Sequence, residues 1–508
     1  MITVTEVAKK KFRETIEAVT LKQGVEKTLF EDVPQMLAAV REQGEVLIVS
    51  CYELGHQPLA AASALGFLER AGYRPAVLDL SVDGFDKLEG REAPGRVRLA
   101  AISVPMHTAL RIGIRAARRI RQAWPTAHVC FYGLYATLNA EYLLEELGNS
   151  VIGGEFEEPL VGLADALVEG QPLEKVAGLW LRGRAAKPFL KRLAFPLPSR
   201  DSLPNLGRYA RLEADGETRL AAAVEASRGC LHLCRHCPIP PVYGGRFFVV
   251  PREVVLEDIR GLVRDGVTHI TFADPDFLNG PGHSMAIVRE MHERYPALTF
   301  DITTKVEHIL KHRRLFDELA ACGCLFVISA VESLSDEVLD HLMKGHSKED
   351  VFAALEILRS AGIAMRPSLL AFTPWTRLED YLDILEWVDR EDLVHHIDPV
   401  QFSIRLLIPP GSALLKLEAL RPSLGRLESG KFSYAWKHPD PRMDRLHRET
   451  TAIVGEAANA NEDARETFAR IRDTAYALAG DVAPPRSISS PPARAASRPA
   501  RLTEPWFC

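Results

Sequence analysis

Two stretches of this chain alternate short apolar runs with amphipathic helical patterns, and this alternation strongly limits the possible folds. In the first stretch the apolar runs read EVLIVS, PAVLDL, RLAAISV and HVCFYG, with helical patterns such as ALRIGIRAARRIRQA between them. Long crossovers between apolar strands are typical of parallel sheets, whose connections are helices. Residues 41–170 are therefore predicted to form an α/β, doubly wound (Rossmann-like) domain.

The second alternation begins near residue 223. Its apolar runs read AAVEAS, THITFAD, LTFDITT, LFVISA, MRPSLLAF and VQFSIRLL, again with helical patterns between them. Six such units are too few to close the (β/α) barrel that is built from eight. We therefore expect an open, partial (β/α)6 barrel, with its functional groups at the carboxyl ends of the strands.

The regions outside the two alternations differ in composition. The segment between them contains the Pro-rich run LPSRDSLPNL, and the last stretch, PPRSISSPPARAASRPAR, cannot bury a core. The predicted organisation, in chain order, is an N-terminal helical segment (1–40), the doubly wound domain (41–170), a connector (171–222), the partial barrel (223–440), a helical extension (441–480) and a disordered tail ending in PWFC (481–508).

Three cysteines lie close together at the end of the first predicted barrel strand. Cys230, Cys234 and Cys237, in SRGCLHLCRHCPI, have the spacing C-x3-C-x2-C. Three thiolates from one loop suit a [4Fe–4S] cluster with one open iron, because electron-transfer clusters and structural zinc normally take four protein ligands. The alternatives are a zinc site that borrows His232 or His236, and a group of unliganded core cysteines.

Composition limits the partners and the cellular compartment that can be expected for the protein. The net charge of −6 over 508 residues gives no argument for nucleic acid or an anionic membrane as a partner. Only three of the eight cysteines are clustered, which excludes a secreted disulfide framework. The charged N-terminus lacks an apolar leader, and no run of about 18 apolar residues occurs. We expect a cytoplasmic protein in a reducing compartment.

The cysteine loop, at the end of the first strand of a partial barrel, resembles that of the radical S-adenosylmethionine (radical SAM) superfamily. In that superfamily the C-x3-C-x2-C motif holds a [4Fe–4S] cluster, whose open iron binds S-adenosylmethionine (SAM) and delivers the electron that cleaves it. The resemblance implies that Cys230, Cys234 and Cys237 are catalytic metal ligands. It also implies an electron donor such as flavodoxin or ferredoxin as a partner.

Segments at the predicted barrel rim, including TFADPDF and SAVES, resemble the SAM-contacting segments of the same superfamily. The resemblance implies SAM contacts from His236, Asp274, Asp276, Glu332, Ser333 and Arg405. Asp274 could instead cap a turn, and Glu332 could form an ion pair at a strand end. The carboxyl rim of the barrel favours the functional interpretation of both. Lys305 and Glu307 are weaker candidates.

The doubly wound domain upstream of such a barrel resembles that of the cobalamin-binding radical SAM class, although strand periodicity alone fits many ligands. The Asp-x-His-x-x-Gly motif of other cobalamin domains is absent, so the resemblance implies cobalt without a histidine beneath it. His56 as a lower ligand is the alternative to a plain loop histidine. The nucleotide tail is expected beside a set of residues whose glycines permit close approach: Gly133, Gly153, Gly154 and Glu155.

The segments FYGLYATLNAEYL, HCPIPPVYGGRF and FADPDFLNGP resemble the CUAEP/CCAEP-tail radical SAM (seleno)proteins. Members of that family end in Cys-Cys-Ala-Glu-Pro or Cys-selenocysteine-Ala-Glu-Pro after a Trp-Phe pair, and this chain ends RLTEPWFC. The resemblance implies a catalytic Cys508, followed in the gene by a UGA codon for selenocysteine. The alternative is that the chain ends at Cys508.

These resemblances imply a cobalamin-dependent radical SAM enzyme with methyl transfer to an unactivated centre as the expected reaction. Its cofactors would be a [4Fe–4S] cluster, SAM and cobalamin, and its substrate is not indicated. One alternative is cyclisation, rearrangement or C–S/C–Se bond formation by the same cofactors. The other is a sensor that binds an Fe–S cluster and cobalamin without turnover.

Overall fold

A computed structural model describes residues 44–88, 96–484 and 498–503 of the chain. The predicted N-terminal helical segment and Cys508 lie outside the described residues, so their predicted structures stay predictions. Among the described residues, no helix combines the length and the apolar character needed to cross a membrane.

The first domain is a six-stranded sheet whose two faces are covered by separate apolar clusters. Its strands follow the order β2-β1-β3-β4-β5-β6, with the first five parallel and β6 antiparallel to β5. In chain order the elements are β1 (Val46–Ser50), α1 (Leu59–Arg70), β2 (Ala76–Asp79), β3 (Leu99–Ser103), α2 (His107–Ala123), β4 (His128–Tyr132), α3 (Leu134–Leu138), α4 (Ala140–Glu146), β5 (Ser150–Ile152), α5 (Glu157–Glu169) and β6 (Leu179–Leu181).

The predicted doubly wound sheet is confirmed. Strands β1 and β3 are buried along their whole length, which explains why each reads as an unbroken apolar run. The strand order reverses between β1 and β3, and the crevice outside the carboxyl ends of the strands at such a switch point is where open α/β sheets bind ligands.

The second domain is a half-barrel whose sheet contains five parallel strands, in the order β14-β13-β12-β11-β8, with β7 and β17 added antiparallel to one another at the β8 edge. In chain order its elements are β7 (Arg211–Ala214), β8 (Glu217–Val224), β9 (Ser227–Gly229), α6 (Pro240–Tyr243), β10 (Phe247–Val249), α7 (Arg252–Arg264), β11 (His269–Phe272), α8 (Pro281–Arg294), β12 (Thr299–Thr304), α9 (Val306–Lys311), α10 (Phe316–Ala321), β13 (Cys324–Glu332), α11 (Asp336–Leu342), α12 (Lys348–Ser360), β14 (Ala364–Leu369) and α13 (Leu378–Arg390).

The sixth strand is much shorter than the sequence predicts. Residues Pro399–Ser403 form a 3₁₀ helix, and only one parallel bridge, between Phe372 and Arg405, continues the sheet. Pro399 has no backbone N–H to give to a strand partner, which favours a turn there. The half-barrel therefore stays open on this side.

The chain after the half-barrel is helical and then returns to the sheet. The remaining elements are β15 (Leu424–Glu428), β16 (Ser433–Trp436), α14 (Pro441–Ala460), α15 (Ala464–Ala479) and β17 (Arg501–Leu502). Strand β17 corrects the prediction that the whole of residues 481–508 is disordered. Leu502 is 9% exposed among the apolar side chains inside the half-barrel, and Thr503 donates from its backbone N–H to Arg211. Burial of one apolar side chain and strand pairing hold this part of the tail.

Candidate functional site

The three predicted ligand cysteines lie in one loop at the carboxyl rim of the half-barrel. Cys230 and Cys234 are 8% and 7% exposed, Cys237 is half-buried, and all three are free thiols. Gly229 enters the loop with φ +73°, and a Cβ there would lie 2.4 Å from the Arg246 carbonyl oxygen. Only glycine fits this combination of backbone angle and close approach. We call Cys230–Cys237 the cysteine loop.

Burial raises the pKa of the Cys230 thiol and raises that of Cys237 to about 12. In both cases the charge of a neighbouring loop cysteine raises the pKa further. Such thiols ionise readily when a metal takes the place of their protons. The donor set therefore fits a thiolate-bound cluster.

A buried cation faces this thiol group. Lys344 is 2% exposed, and its Nζ lies 3.1 Å from Glu332 Oε1. The Lys344 ammonium partly offsets the rise in the pKa of Cys237. Glu332 and, after it, the cysteine charges raise the pKa of Lys344 against the effect of burial. His236 Nε2 lies 3.3 Å from the same oxygen of Glu332, so the two predicted contacts His236 and Glu332 meet beside the loop.

Asp276, another predicted contact, is fully buried at the same rim. It accepts a 2.7 Å hydrogen bond from Thr304 Oγ1, and its second oxygen lies 2.9 Å from His308 Nδ1. Hydrogen bonds from His232 and His308 outweigh burial and hold the pKa of this carboxyl well below its usual range. Asp276 is therefore a carboxylate whose charge is available at the rim.

His232, Asp276 and His308 have donor atoms within 4.8 Å of one another, a spacing that could hold a metal ion. Lys305 argues against that use, because its Nζ lies 3.0 Å from His232 Nδ1. An ammonium group can only donate, so His232 Nδ1 accepts and the ring proton lies on Nε2, toward Asp276. The two histidine rings therefore lie as close polar neighbours around one carboxylate, with His232 Nε2 3.5 Å and His308 Nδ1 2.9 Å from Asp276 Oδ2. The weaker candidate Lys305 thereby enters the site, with Glu307 as its ion-pair partner at 3.1 Å.

Asp274, Ser333 and Arg405 have other partners. Asp274 accepts from the Ala226 backbone N–H and the Ser227 hydroxyl, so it joins the ends of β8 and β11 as a structural group. The Ser333 hydroxyl accepts from the Ser335 N–H at the start of α11. Arg405 lies 3.5 Å over the ring of Trp436 and 2.8 Å from Asp444. Among the contacts of the described residues, none joins these three side chains to the cysteine loop, and their role at SAM stays a prediction.

The carboxyl edge of the first sheet contains the predicted cobalamin residues, and the three glycines among them pack closely against neighbouring chain. A Cβ on Gly154, whose φ is +84°, would lie 2.4 Å from the Phe189 carbonyl oxygen, so this glycine admits the connector. His56 is 7% exposed, and burial lowers its pKa to about 4. Gly133, with φ +105°, packs against the loop after β3, and Gly153 packs against Thr137.

Glu155 joins the two domains, a role that its sequence context did not reveal. Its carboxylate accepts a 2.8 Å hydrogen bond from the Tyr243 hydroxyl and lies 3.2 Å from Arg228 Nη1. Arg228 also binds Glu157 and Glu225 and is 8% exposed. Burial, opposed by Arg228, raises the pKa of Glu155 to about 7. The only sequence signal for Arg228 is its place two residues before Cys230.

The residues that sequence reasoning missed are thus Arg228, Lys344 and Tyr243. Each becomes significant only through its contacts in the fold: Arg228 with Glu155 and Glu157, Lys344 with Glu332, and Tyr243 with Glu155. The run LMKGH contains Lys344, but nothing in that run alone points to Glu332 or to the cysteines.

Residues 224–388 match the radical SAM superfamily, and this part of the chain is a radical SAM domain. The chain is 26% identical over 336 residues to the hopanoid C-3 methylase of Methylococcus capsulatus, in an alignment that covers 65% of this chain and 64% of that protein, less than two thirds of its length. It is 24% identical over 342 residues to an uncharacterized methyltransferase of Pyrococcus horikoshii, with 65% and 71% covered.

Two solved structures share the fold. The radical SAM methyltransferase TsrM from Kitasatospora setae superposes with a TM-score of 0.57 at 20% identity, covering 68% of this chain and 71% of TsrM. The cobalamin-dependent radical SAM enzyme OxsB superposes with a TM-score of 0.64 at 16% identity, covering 84% of this chain and 68% of OxsB. The pairing of a Rossmann-like domain with a half-barrel is thus the architecture of known proteins.

Proposed function

We propose that the chain is a cobalamin-dependent radical SAM methyltransferase. The observation that carries the proposal is the set of three free cysteines at the rim of a radical SAM half-barrel, joined by Arg228 to the carboxyl edge of a Rossmann-like sheet. The hopanoid methylase and TsrM are methyltransferases by name, and OxsB is described with cobalamin bound. These relatives favour methyl transfer on this architecture.

Each cofactor would supply one kind of chemistry when bound. A [4Fe–4S] cluster held by Cys230, Cys234 and Cys237 supplies the electron for cleavage of SAM, and cobalamin supplies methyl carriage. The task of the protein is to bind, orient and exclude water. Glu332 and Asp276 are ionised acceptors on two sides of the cysteine loop, which suits them to the amino group and the ribose hydroxyls of SAM.

The edge of the first sheet has polar groups that suit an amide-rich ligand such as cobalamin. Within the described chain, Glu53 Oε1 and Trp180 Nε1 are buried and have no hydrogen-bond partner. Burial raises the pKa of Glu53 to about 8, so at neutral pH it has a proton to donate. Buried polar atoms without partners are rare, and a polar ligand would satisfy both. The groups that act on the His56 ring, Asp301 and His269, belong to the half-barrel, which favours cobalt without a histidine ligand.

The experiment is anaerobic reconstitution of the protein with iron, sulfide and cobalamin, followed by SAM and a strong chemical reductant. We expect bound iron and 5′-deoxyadenosine from the wild type and neither from Cys234→Ala. Cys324→Ala removes a buried cysteine elsewhere in the barrel and serves as the matched control. Deoxyadenosine formation without S-adenosylhomocysteine would favour rearrangement or bond formation, and no cleavage at all would favour the sensor.

We further propose that the chain belongs to the CUAEP/CCAEP-tail proteins and that Cys508 acts at this site. The direction of β17 supports the idea: it pairs antiparallel to β7, which is antiparallel to β8, so it runs parallel to the barrel strands. Thr503 donates its N–H to Arg211, and the neighbouring Ala210 N–H donates to Gly55 in the loop after β1, so Thr503 lies on the side of the first domain. The gene sequence tests the proposal, since a UAA or UAG codon after Cys508 would rule out selenocysteine.

The expected setting is the cytoplasm, because free thiols and an Fe–S cluster are kept reduced there.

A further inference from the structure

A cleft of about 590 Å³ lies beside the half-barrel, between the first turns of α8 and the chain that follows α9. Five of its nine lining residues are basic and none of the nine is acidic. The basic members are Arg289, Lys311, His312, Arg313 and Arg314. We call this surface the basic cleft.

Most of the positive charge in the basic cleft faces solvent. Arg289 is paired with Glu318 at 2.6 Å, which neutralises it. Lys311, Arg313 and Arg314 are exposed, and no carboxylate in the lining opposes them. Like charges crowded into a cleft focus the electrostatic potential there. The protein as a whole has a net charge of −6, so this is a local positive surface on an acidic molecule.

Both walls of the basic cleft connect to the cysteine loop. On one wall, α8 starts at Pro281, two residues after Asn279, whose Oδ1 accepts from the Leu231 N–H at 3.3 Å and lies 3.9 Å from Cys230 Sγ. The cleft is therefore adjacent in structure to the cysteines.

The other wall of the basic cleft is linked to the cysteine loop by a row of histidine rings. The His312 ring lies 5.6 Å from the ring of His308, which lies 4.7 Å from that of His232 within the cysteine loop. Two short ring-to-ring steps thus separate the lining of the cleft from the loop between Cys230 and Cys234.

We propose that the basic cleft is the docking surface for an acidic one-electron carrier protein. This inference rests on the proposed function, because a cluster that cleaves SAM must first be reduced. The step balances without atom transfer: the carrier loses one electron, and the oxidised cluster gains it. Complementary charge would orient the carrier with its redox centre toward the cysteine loop and raise the association rate.

The lining favours a protein partner over a nucleic acid. Single-stranded nucleic acids bind on aromatic platforms, and none of the nine lining residues is Phe, Tyr or Trp. The few exposed cations also suit the small, salt-sensitive contact areas of transient redox complexes.

The test uses the reconstituted holoprotein and an acidic flavodoxin as the probe. The variant Arg313→Glu/Arg314→Glu reverses two exposed charges in the basic cleft. Arg118→Glu/Arg264→Glu makes the same charge change at two exposed positions elsewhere, and Arg264 ends α7 at the opposite end of the barrel. Binding of oxidised flavodoxin is measured at two ionic strengths, and cluster reduction by reduced flavodoxin is followed by stopped-flow absorbance.

We expect the cleft variant to weaken flavodoxin binding and slow cluster reduction by about tenfold at low salt, with the difference shrinking at high salt. The control variant should stay within about twofold of the wild type. With dithionite as reductant, all three proteins should cleave SAM at the same rate. Failure with dithionite would reject the proposed function, whereas equal flavodoxin kinetics in all three proteins would reject the docking surface. The docking proposal would also be overturned if the wild type bound RNA, the cleft variant did not, and flavodoxin binding and cluster reduction were the same in both.

Discussion

Arg228 Nη1 lies 3.2 Å from Glu155 Oε2, and this contact joins the cysteine loop of the half-barrel to the edge of the Rossmann-like sheet. Both side chains are buried, and Glu157 and Tyr243 complete the cluster. Any motion of the cysteine loop relative to the first domain must break charge-assisted hydrogen bonds inside the protein. The two halves of the site are thereby held in one arrangement.

Replacement of Arg228 by Met should destabilise the protein strongly. The change leaves Glu155 and Glu157 as buried carboxylates without their cation, a loss of about 3–5 kcal/mol in the free energy of unfolding. Urea unfolding measures it. Arg445→Met, which breaks an exposed pair with Glu449, is the control and should lose less than about 1 kcal/mol. An Arg228 variant as stable as this control would contradict the role given to the cluster.

The stability of the wild type should depend on pH through Glu155. Its folded pKa of about 7 exceeds the ordinary value of 4.5, so between these values the folded state holds a proton that the unfolded state has released. The contribution of Glu155 to stability is therefore full below about pH 4.5 and falls as the pH rises toward 7. Relative to that of Glu155→Gln, the free energy of unfolding of the wild type should fall by on the order of 3 kcal/mol between pH 4.5 and 8.

Thermal unfolding of both proteins across this pH range is the measurement for Glu155. Glu158→Gln, at an exposed position in the first turn of α5 and three residues after Glu155, supplies the control and should follow the wild type. Parallel pH profiles for the wild type and Glu155→Gln would exclude the raised pKa.

Lys344 should influence the reduction potential of a bound cluster. Its buried ammonium faces the thiolates of the cysteine loop, and a cation there favours the more negative, reduced cluster. Lys344→Met should lower the midpoint potential by on the order of 60 mV, the equivalent of a tenfold change for one electron. Potentiometric titration followed by EPR, without SAM, checks this. Lys348→Met, which removes a half-buried ammonium paired with Asp383, is the control. An unchanged or higher potential in Lys344→Met would refute the effect.

His56 should not be a cobalt ligand. It is buried, and the charged groups that act on its ring, Asp301 and His269, belong to strands β12 and β11 of the half-barrel and not to the edge of the first sheet. The EPR spectrum of cob(II)alamin bound to the protein should therefore lack nitrogen splitting and be the same in His56→Gln. His128→Gln, at a half-buried position at the start of β4, is the comparison. Nitrogen splitting that disappears only in the His56 variant would restore the ligand assignment.

The sheet of the first domain could be predicted from sequence because its central strands are buried on both faces. β1 and β3 contain only apolar or small side chains, so each strand and its boundaries are visible in the one-letter sequence. The three cysteines were equally visible, since their spacing is local. Such local patterns can be interpreted without knowing which distant residues come into contact in the fold.

The roles of the polar residues could not be predicted in the same way. Asp274 and Asp276 are two residues apart, yet one binds the end of β8 and the other faces the rim, and only the turn after β11 decides between them. Arg405 pairs with Asp444, a choice made by the packing of α14. Gly154 adopts a positive φ where its backbone packs closely against Phe189, which lies in the connector.

The most direct test of the central claim is to supply the reduced, cobalamin-loaded protein with SAM and to quantify both nucleoside products by mass spectrometry. Methyl transfer by this protein predicts S-adenosylhomocysteine and 5′-deoxyadenosine from the same sample, with deoxyadenosine lost in Cys234→Ala. Deoxyadenosine alone would contradict methyl transfer, and the absence of both products would contradict the radical SAM assignment of function.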